Sequence, residues 1–340
     1  MFLSGFLLCT IPVAAAGGEW IGVDVGHKGA LLGVHFCDAN HGVCWSDALL
    51  WRTADGGVSW KKLGTPSLES VGKTGDIHWV SVKLAGPTEI TGLMALNQES
   101  GSKHMLLRSQ DGGSTWTDST PGELGVPTRL IVRKTRWWIL ADGGKSAFVS
   151  RNGGQEWEKV GWGSADRSVR DLAFPSAQLG FAVGGTSTGA RVWKTEDGGK
   201  NWRDAAAIKE TGNLLHCAFP SEKQGWMAGE NGQLWRTLDG SATWEKCDAP
   251  FQSNQQITGL TFFPSGKGFV SASVPFIQGR LGAEVGVAYT PDGGETWETH
   301  VKGWKSIEDI FFLDANNGWA CGENPGWISY GIMLLFVGAE

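Results

Sequence analysis

Short apolar runs recur along the whole chain, each closed by a polar turn. Leu49-Leu50-Trp51-Arg52-Thr53, Arg191-Val192-Trp193-Lys194-Thr195 and Gln233-Leu234-Trp235-Arg236-Thr237 read as strands that lead into a turn. A second pattern precedes most of them: apolar-x-x-Phe, a polar turn, then Gly and usually an aromatic residue. It stands at Leu32 to Val43, Arg170 to Phe181, Leu215 to Trp226, Thr258 to Phe269 and Glu308 to Trp319. These alternating segments predict two short strands joined by a hairpin. Leu130-Ile131-Val132 and Trp137-Trp138-Ile139-Leu140 supply the corresponding strands where the pattern is less regular.

The turn after the third strand has a fixed wording, Ser/Thr-x-Asp-Gly-Gly-x-x-Trp. It occurs six times, with Asp55, Asp111, Asn152, Asp197, Asp239 and Asp292 at the acidic position. Trp60, Trp116, Trp157, Trp202, Trp244 and Trp297 close the six copies, and Ser241 replaces a glycine in the fifth. A carboxylate can accept backbone N–H bonds within the turn, and glycine reaches positive φ at no steric cost. The copies lie roughly 40–55 residues apart, the length of a four-stranded propeller blade. Each acid stands alone in its turn, without the clustered oxygens that a hard cation needs. The acids and tryptophans are therefore read as structural.

Counting first strands gives seven blades against six turns of this wording. The expectation is an all-β, seven-bladed propeller of four-stranded antiparallel blades. The last blade lacks its own turn, and Gly17-Gly18-Glu19-Trp20-Ile21-Gly22-Val23 looks like the back half of one plus a strand. That N-terminal strand is expected to complete the seventh blade and close the ring, which removes two exposed edges. Residues 331–340 fit no repeat and read either as an extra strand or as an irregular tail. They are too few to span a bilayer.

The repeats make residues 17–340 one domain. Residues 1–16 carry an apolar core and Ala14-Ala15-Ala16, which reads as an export signal with a small-residue cleavage site. A buried first strand is the alternative. Export allows disulfides, and Cys37 and Cys44 flank one hairpin, so either a bridge or unpaired thiols is expected there. Nineteen tryptophans against two tyrosines reflect the repeat itself, which accounts for six of them. The net charge of −6 argues against nucleic acid. The seven histidines stand as singles with no Cys-x-x-Cys, so neither a metal nor another cofactor is expected.

Aligning first strands on their Phe brings Gly33, Asp171, His216, Gly259 and Asp309 to one position, with Arg170 and Glu308 just before it. Asp171, His216, Glu308 and Asp309 are thus candidates for one mouth of the central channel, either as a shared site or as solvated strand ends. Asp171 and Asp309 are the only carboxylate pair put forward for glycoside hydrolysis. No Arg-Ile-Pro phrase accompanies the repeats, and the two tyrosines, Tyr289 and Tyr330, lie near a turn and near the tail. A sialidase is disfavoured on those grounds.

The turn phrase resembles the Asp-box, or BNR, repeat of sialidases, sortilin ectodomains and some glucanases. The double pattern, as in Leu31-Leu32-Gly33-Val34-His35-Phe36 and Asp314-Ala315-Asn316-Asn317-Gly318-Trp319, is similar to the photosystem II stability/assembly factor family. That resemblance implies a non-catalytic scaffold. It would bind a photosystem II reaction-centre precursor in the thylakoid lumen or its equivalent and be peripheral to the membrane at most. It also implies an arginine-rich partner surface, for which Arg129, Arg133 and Arg136, with Arg167 and Arg170 a blade later, are the candidates. A secreted propeller acting on glycans is the alternative, and the location expected is the thylakoid lumen, a periplasm or the outside of the cell. A sortilin-like receptor is disfavoured by the short chain.

Overall fold

The computed structural model describes residues 13–15, 18–64, 66, 75–98, 101–163, 166–186, 189–208, 213–273, 285–323 and 330–338. Seven antiparallel sheets follow one another along the chain, six of four strands and one of five. The first strands of the blades are Gly33–Phe36, Asp76–Gly86, Pro127–Arg133, Ser168–Ala173, Leu214–Ala218, Gln256–Phe262 and Ser306–Phe312. Each packs on the first strand of both neighbouring blades, the seventh on the first included, so these strands form a closed inner ring. The molecule is a seven-bladed β-propeller.

The seventh blade is built from both ends of the chain. Tyr330–Gly338 pairs with Asn317–Glu323 on one side and with Gly18–Lys28 on the other. The expected closure by the N-terminal strand is thus observed. Of the two readings of the C-terminal segment the strand is the one observed: residues 331–338 belong to the blade's third strand and are no irregular tail, with Met333 and Phe336 buried in the core. One detail differs from the sequence reading. Trp20 does not follow a box turn: Gly18 is already in the strand, and Trp20 lies edge-on to Phe269 and Phe312 between two blades. Val13–Ala15, within the expected leader, adds a fifth strand against Gly18–Trp20, and residues 1–12 lie outside the described residues.

The box turns repeat one hydrogen-bond scheme. In the first, Thr53 Oγ1 donates to Asp55 Oδ1 at 2.7 Å and accepts from Gly57 N at 3.0 Å. Asp55 Oδ1 also accepts from Ser59 N at 2.9 Å, and Trp60 Nε1 donates to the Gly57 carbonyl at 3.0 Å. Asn152 serves equally well, since its Oδ1 takes the Ser150 hydroxyl and the Glu156 N–H. Ser241 takes the second glycine's place at a φ of 77°, its Oγ accepting from Trp244 Nε1 at 3.1 Å.

In the five blades whose first strand leads into a Phe, that ring links the blade to the one before it. Phe36 stacks on Trp319, Phe219 on Phe181, Phe262 on Trp226 and Phe312 on Phe269, with ring centroids 3.5–4.1 Å apart. Phe174 stacks more loosely on Trp138, at 5.8 Å. The box tryptophans Trp60, Trp202, Trp244 and Trp297 meet the Phe of their own blade edge-on. The glycine that opens the second strand makes room for this sandwich. A Cβ at Gly42, Gly180, Gly225, Gly268 or Gly318 would lie 2.1–2.4 Å from its own blade's Phe ring. Both sequence patterns therefore describe one aromatic joint, repeated between blades.

Cys37 and Cys44 are free thiols. The hairpin register sets Cys44 opposite Val34, while Cys37 N bonds the His41 carbonyl in the turn, so the two do not face each other. Burial pushes the Cys37 thiol up to about 11, helped by Asp38, and raises Cys44 well above its ordinary range.

Candidate functional site

Six of the seven first strands carry a β-bulge at the same height, between Trp79/Ser81, Pro127/Arg129, Val169/Asp171, Leu214/His216, Ile257/Gly259 and Ile307/Asp309. A bulge re-aims the residue that follows it. Here it brings Ser81, Arg129, Asp171, His216, Gly259 and Asp309 to one level of the inner ring, with Gly33 completing it. Sequence alignment on the Phe found five of these seven and missed Ser81 and Arg129. Val132 takes the place of the Phe in the blade of Arg129, so the anchor was absent. The usable signal was Arg129-Leu130 itself, a polar residue followed by the first apolar one, as in Asp171-Leu172 and Asp309-Ile310.

Arg129 joins three blades. Its Nε lies 3.2 Å from Asp171 Oδ1, and its Nη1 lies 3.2 Å from His216 Nδ1. Asp171 is nearly inaccessible, and its Oδ2 accepts the Cys217 N–H of the next blade at 3.1 Å. Asp309 does the same one closure further on, where its Oδ2 accepts Val34 N–H at 3.3 Å. Both aspartates thus hold adjacent blades together through equivalent bonds. They sit on blades four and seven, which are not neighbours. Burial and the Arg129 charge press the His216 pKa down to about 3, so its imidazole is neutral at ordinary pH. Burial raises the Asp309 carboxyl, against the pull of Lys83 and Arg129. Glu308 is the bulge residue just before Asp309, half-buried, and its charge is felt by the Cys321 thiol.

The remaining arginines take different positions. Arg133 ends its strand exposed, two residues past Ile131 on the channel side. Arg136 Nη1 donates to the Ala177 carbonyl at 2.7 Å, with its guanidinium over Phe174. Arg167 donates to the Trp162 carbonyl, pairs with Asp204 at 3.2 Å and covers Trp193. Arg170 is the bulge residue before Asp171, half-buried, and its Nε has no hydrogen-bond partner. Among the described residues no group of three His, Cys, Asp or Glu is placed to hold a metal.

A ring of seven blades, box turns and an inner polar level define a BNR-type propeller. The family described as photosynthesis system II assembly factor YCF48 matches residues 128–238, and the one described as sortilin, neurotensin receptor 3, matches residues 190–317. A photosystem II assembly lipoprotein Ycf48 from a Synechococcus strain is 24% identical, over 99% of this chain and 93% of its own. The chloroplastic photosystem II stability/assembly factor HCF136 of Arabidopsis thaliana is 26% identical, over 60% of this chain and 48% of its own. Among solved structures, YCF48 bound to a D1 peptide superposes with a TM-score of 0.68 at 20% identity, covering 98% of this chain and 99% of that one. A GH74 enzyme of Niastella koreensis reaches a TM-score of 0.65 at 17% identity, over 93% of this chain but 55% of its own. The chain is a BNR-type propeller related to the photosystem II assembly factors.

Proposed function

We propose that this protein is a non-catalytic assembly factor that binds a photosystem II reaction-centre precursor. The observation that carries the proposal is the end-to-end similarity to Ycf48, which spans 99% of the chain and 93% of the relative. One solved relative, YCF48 bound to a D1 peptide, supplies the kind of partner. Relatives described as a lipoprotein and as chloroplastic support an exported or lumenal location, in line with the leader read in residues 1–16.

Of the five arginines proposed for the partner, Arg136, Arg167 and Arg129 already hold internal acceptors. Arg133 and Arg170 are left as the two best able to meet an acidic partner. The glycan alternative is less well supported, because both Asp171 and Asp309 spend an oxygen on a backbone N–H. The test is a binding titration of immobilised D1 peptide with the full chain and its Arg133→Glu/Arg170→Glu variant. Binding that weakens with salt and is lost in the variant supports the proposal. No binding to the peptide at low salt contradicts it.

A further inference from the structure

One step along each first strand from the level of Arg129 lies a second level of the channel. It holds His35, Lys83, Ile131, Ala173, Ala218, Thr261 and Phe311, with Arg133 one step beyond Ile131. Polar groups here come from blades one to three, while apolar and small side chains occupy most of the remainder. His35 is fixed by a bond from Leu84 N to its Nδ1 at 3.1 Å and by a tilted ring contact with Phe311 at 4.6 Å. With Nδ1 accepting, the proton of the neutral ring sits on Nε2, which is then a donor. The charges of Lys83 and Arg133 are both felt at His35, and Arg133 is felt at Lys83. The three groups therefore form one neighbourhood, each keeping some surface open to water.

All three are hydrogen-bond donors. Lys83 Nζ lies 5.9 Å from the Trp45 ring and has no carboxylate within ion-pair distance among the described residues. Arg133 likewise has none at that distance among the described residues. Arg129 is taken by Asp171, and Asp309 by Val34. Burial disfavours the Lys83 charge, Asp309 and Asp171 favour it, and Arg129 and Arg133 oppose it. Three donors thus stand together on one side of the inner ring, and among the described residues no carboxylate pairs with Lys83 or Arg133.

We infer that the channel binds a small oxyanion, of the carboxylate or phosphate kind, between His35 Nε2, Lys83 Nζ and the Arg133 guanidinium. Two positive groups and a neutral donor suit an anion with two or three oxygens better than a spherical halide, because each donor then finds its own oxygen. The site does not depend on the partner-binding proposal, and the isolated full chain suffices to test it.

The experiment is isothermal titration calorimetry of the full chain with sodium acetate, sodium phosphate and sodium chloride at matched ionic strength. Acetate or phosphate is expected to bind at one site and chloride not to bind. The stronger of the two names the source of the oxyanion. Arg133→Met and Lys83→Met should each weaken that binding about tenfold, the loss of roughly 1.4 kcal/mol from one charge-assisted hydrogen bond. Arg133 is exposed, so its variant folds even if that of Lys83 does not. The histidine 15N resonances give an independent reading: the Nε2 of His35 should shift on titration and that of His216 much less. Equal binding of all three salts, or oxyanion binding unchanged in Arg133→Met, overturns the inference.

Discussion

The aromatic joint makes a prediction that single substitutions alone cannot imitate. Phe262 is 5% exposed, stacked on Trp226 at 4.1 Å and edge-on to Trp297 at 6.5 Å. Phe262→Ala should cost about 3–5 kcal/mol, the usual range for emptying such a site. A Cβ at Gly268 would lie 2.4 Å from Phe262 Cδ1, and Gly268 does not have positive φ. Gly268→Ala should therefore cost about 1–3 kcal/mol by overpacking, less about 0.4–1 kcal/mol gained from a stiffer unfolded chain. In the Phe262→Ala background the obstructing ring is gone. The same Gly268→Ala should then be neutral or slightly stabilising, which makes the two strongly non-additive. Urea unfolding followed by tryptophan fluorescence measures all four corners of the cycle. Additive costs would mean that the glycine serves something other than the Phe, and the joint as described would be wrong.

Three further outcomes follow from the electrostatics and the thiols. Hydrogen bonds from the flanking Thr and backbone hold Asp111 and Asp239 at about 2, and those around Asp292 outweigh its partial burial to hold it at about 2 as well. A depressed carboxyl stabilises the fold above its unfolded value near 3.8 and loses that contribution as pH falls towards 2. Calorimetric melting between pH 5 and pH 2 should show a steep fall, slightly shallower in Asp111→Asn, which copies the natural Asn152 turn. Replacing Arg129 by Met removes the charge beside His216 and frees Asp171, so the His216 pKa should rise from about 3 towards its ordinary value, as read by NMR titration. Cys44, Cys217 and Cys321 are buried with strongly raised thiols, so they should resist iodoacetamide in the native state, with Cys37 reacting slowly and first.

The sequence made the blades legible because the box turn uses backbone chemistry that few residues satisfy. Gly-Gly at positive φ and an acid accepting N–H bonds leave a visible wording. The role of the paired Phe and Gly was not legible, since each contacts a residue of another blade or across a hairpin and no local rule links them. Residues 331–338 were obscure for the same reason. Their strand is specified by pairing with Gly18–Lys28 at the far end of the chain, not by a turn wording of their own. At the channel, alignment on the Phe placed Asp171, His216 and Asp309 together but skipped the blades where Val132 and Leu84 stand instead. Arg129, read only as part of a partner surface, and Lys83 were not placed at the channel, where they supply two of the cations. The arginine row 129–136 illustrates the limit of spacing. A bulge, a strand end and a new strand send Arg129 to the inner ring, Arg133 to an exposed end on the channel side and Arg136 to a neighbouring turn.

The central claim is tested most directly by affinity capture of a named partner. The tagged chain would be incubated with a detergent extract of photosynthetic membranes, and the retained proteins quantified by mass spectrometry against the Arg133→Glu/Arg170→Glu variant. The D1 reaction-centre precursor should be enriched with the unaltered chain and lost with the variant. Retention of no photosystem II reaction-centre subunit, under conditions where a cyanobacterial Ycf48 retains one, would contradict the claim.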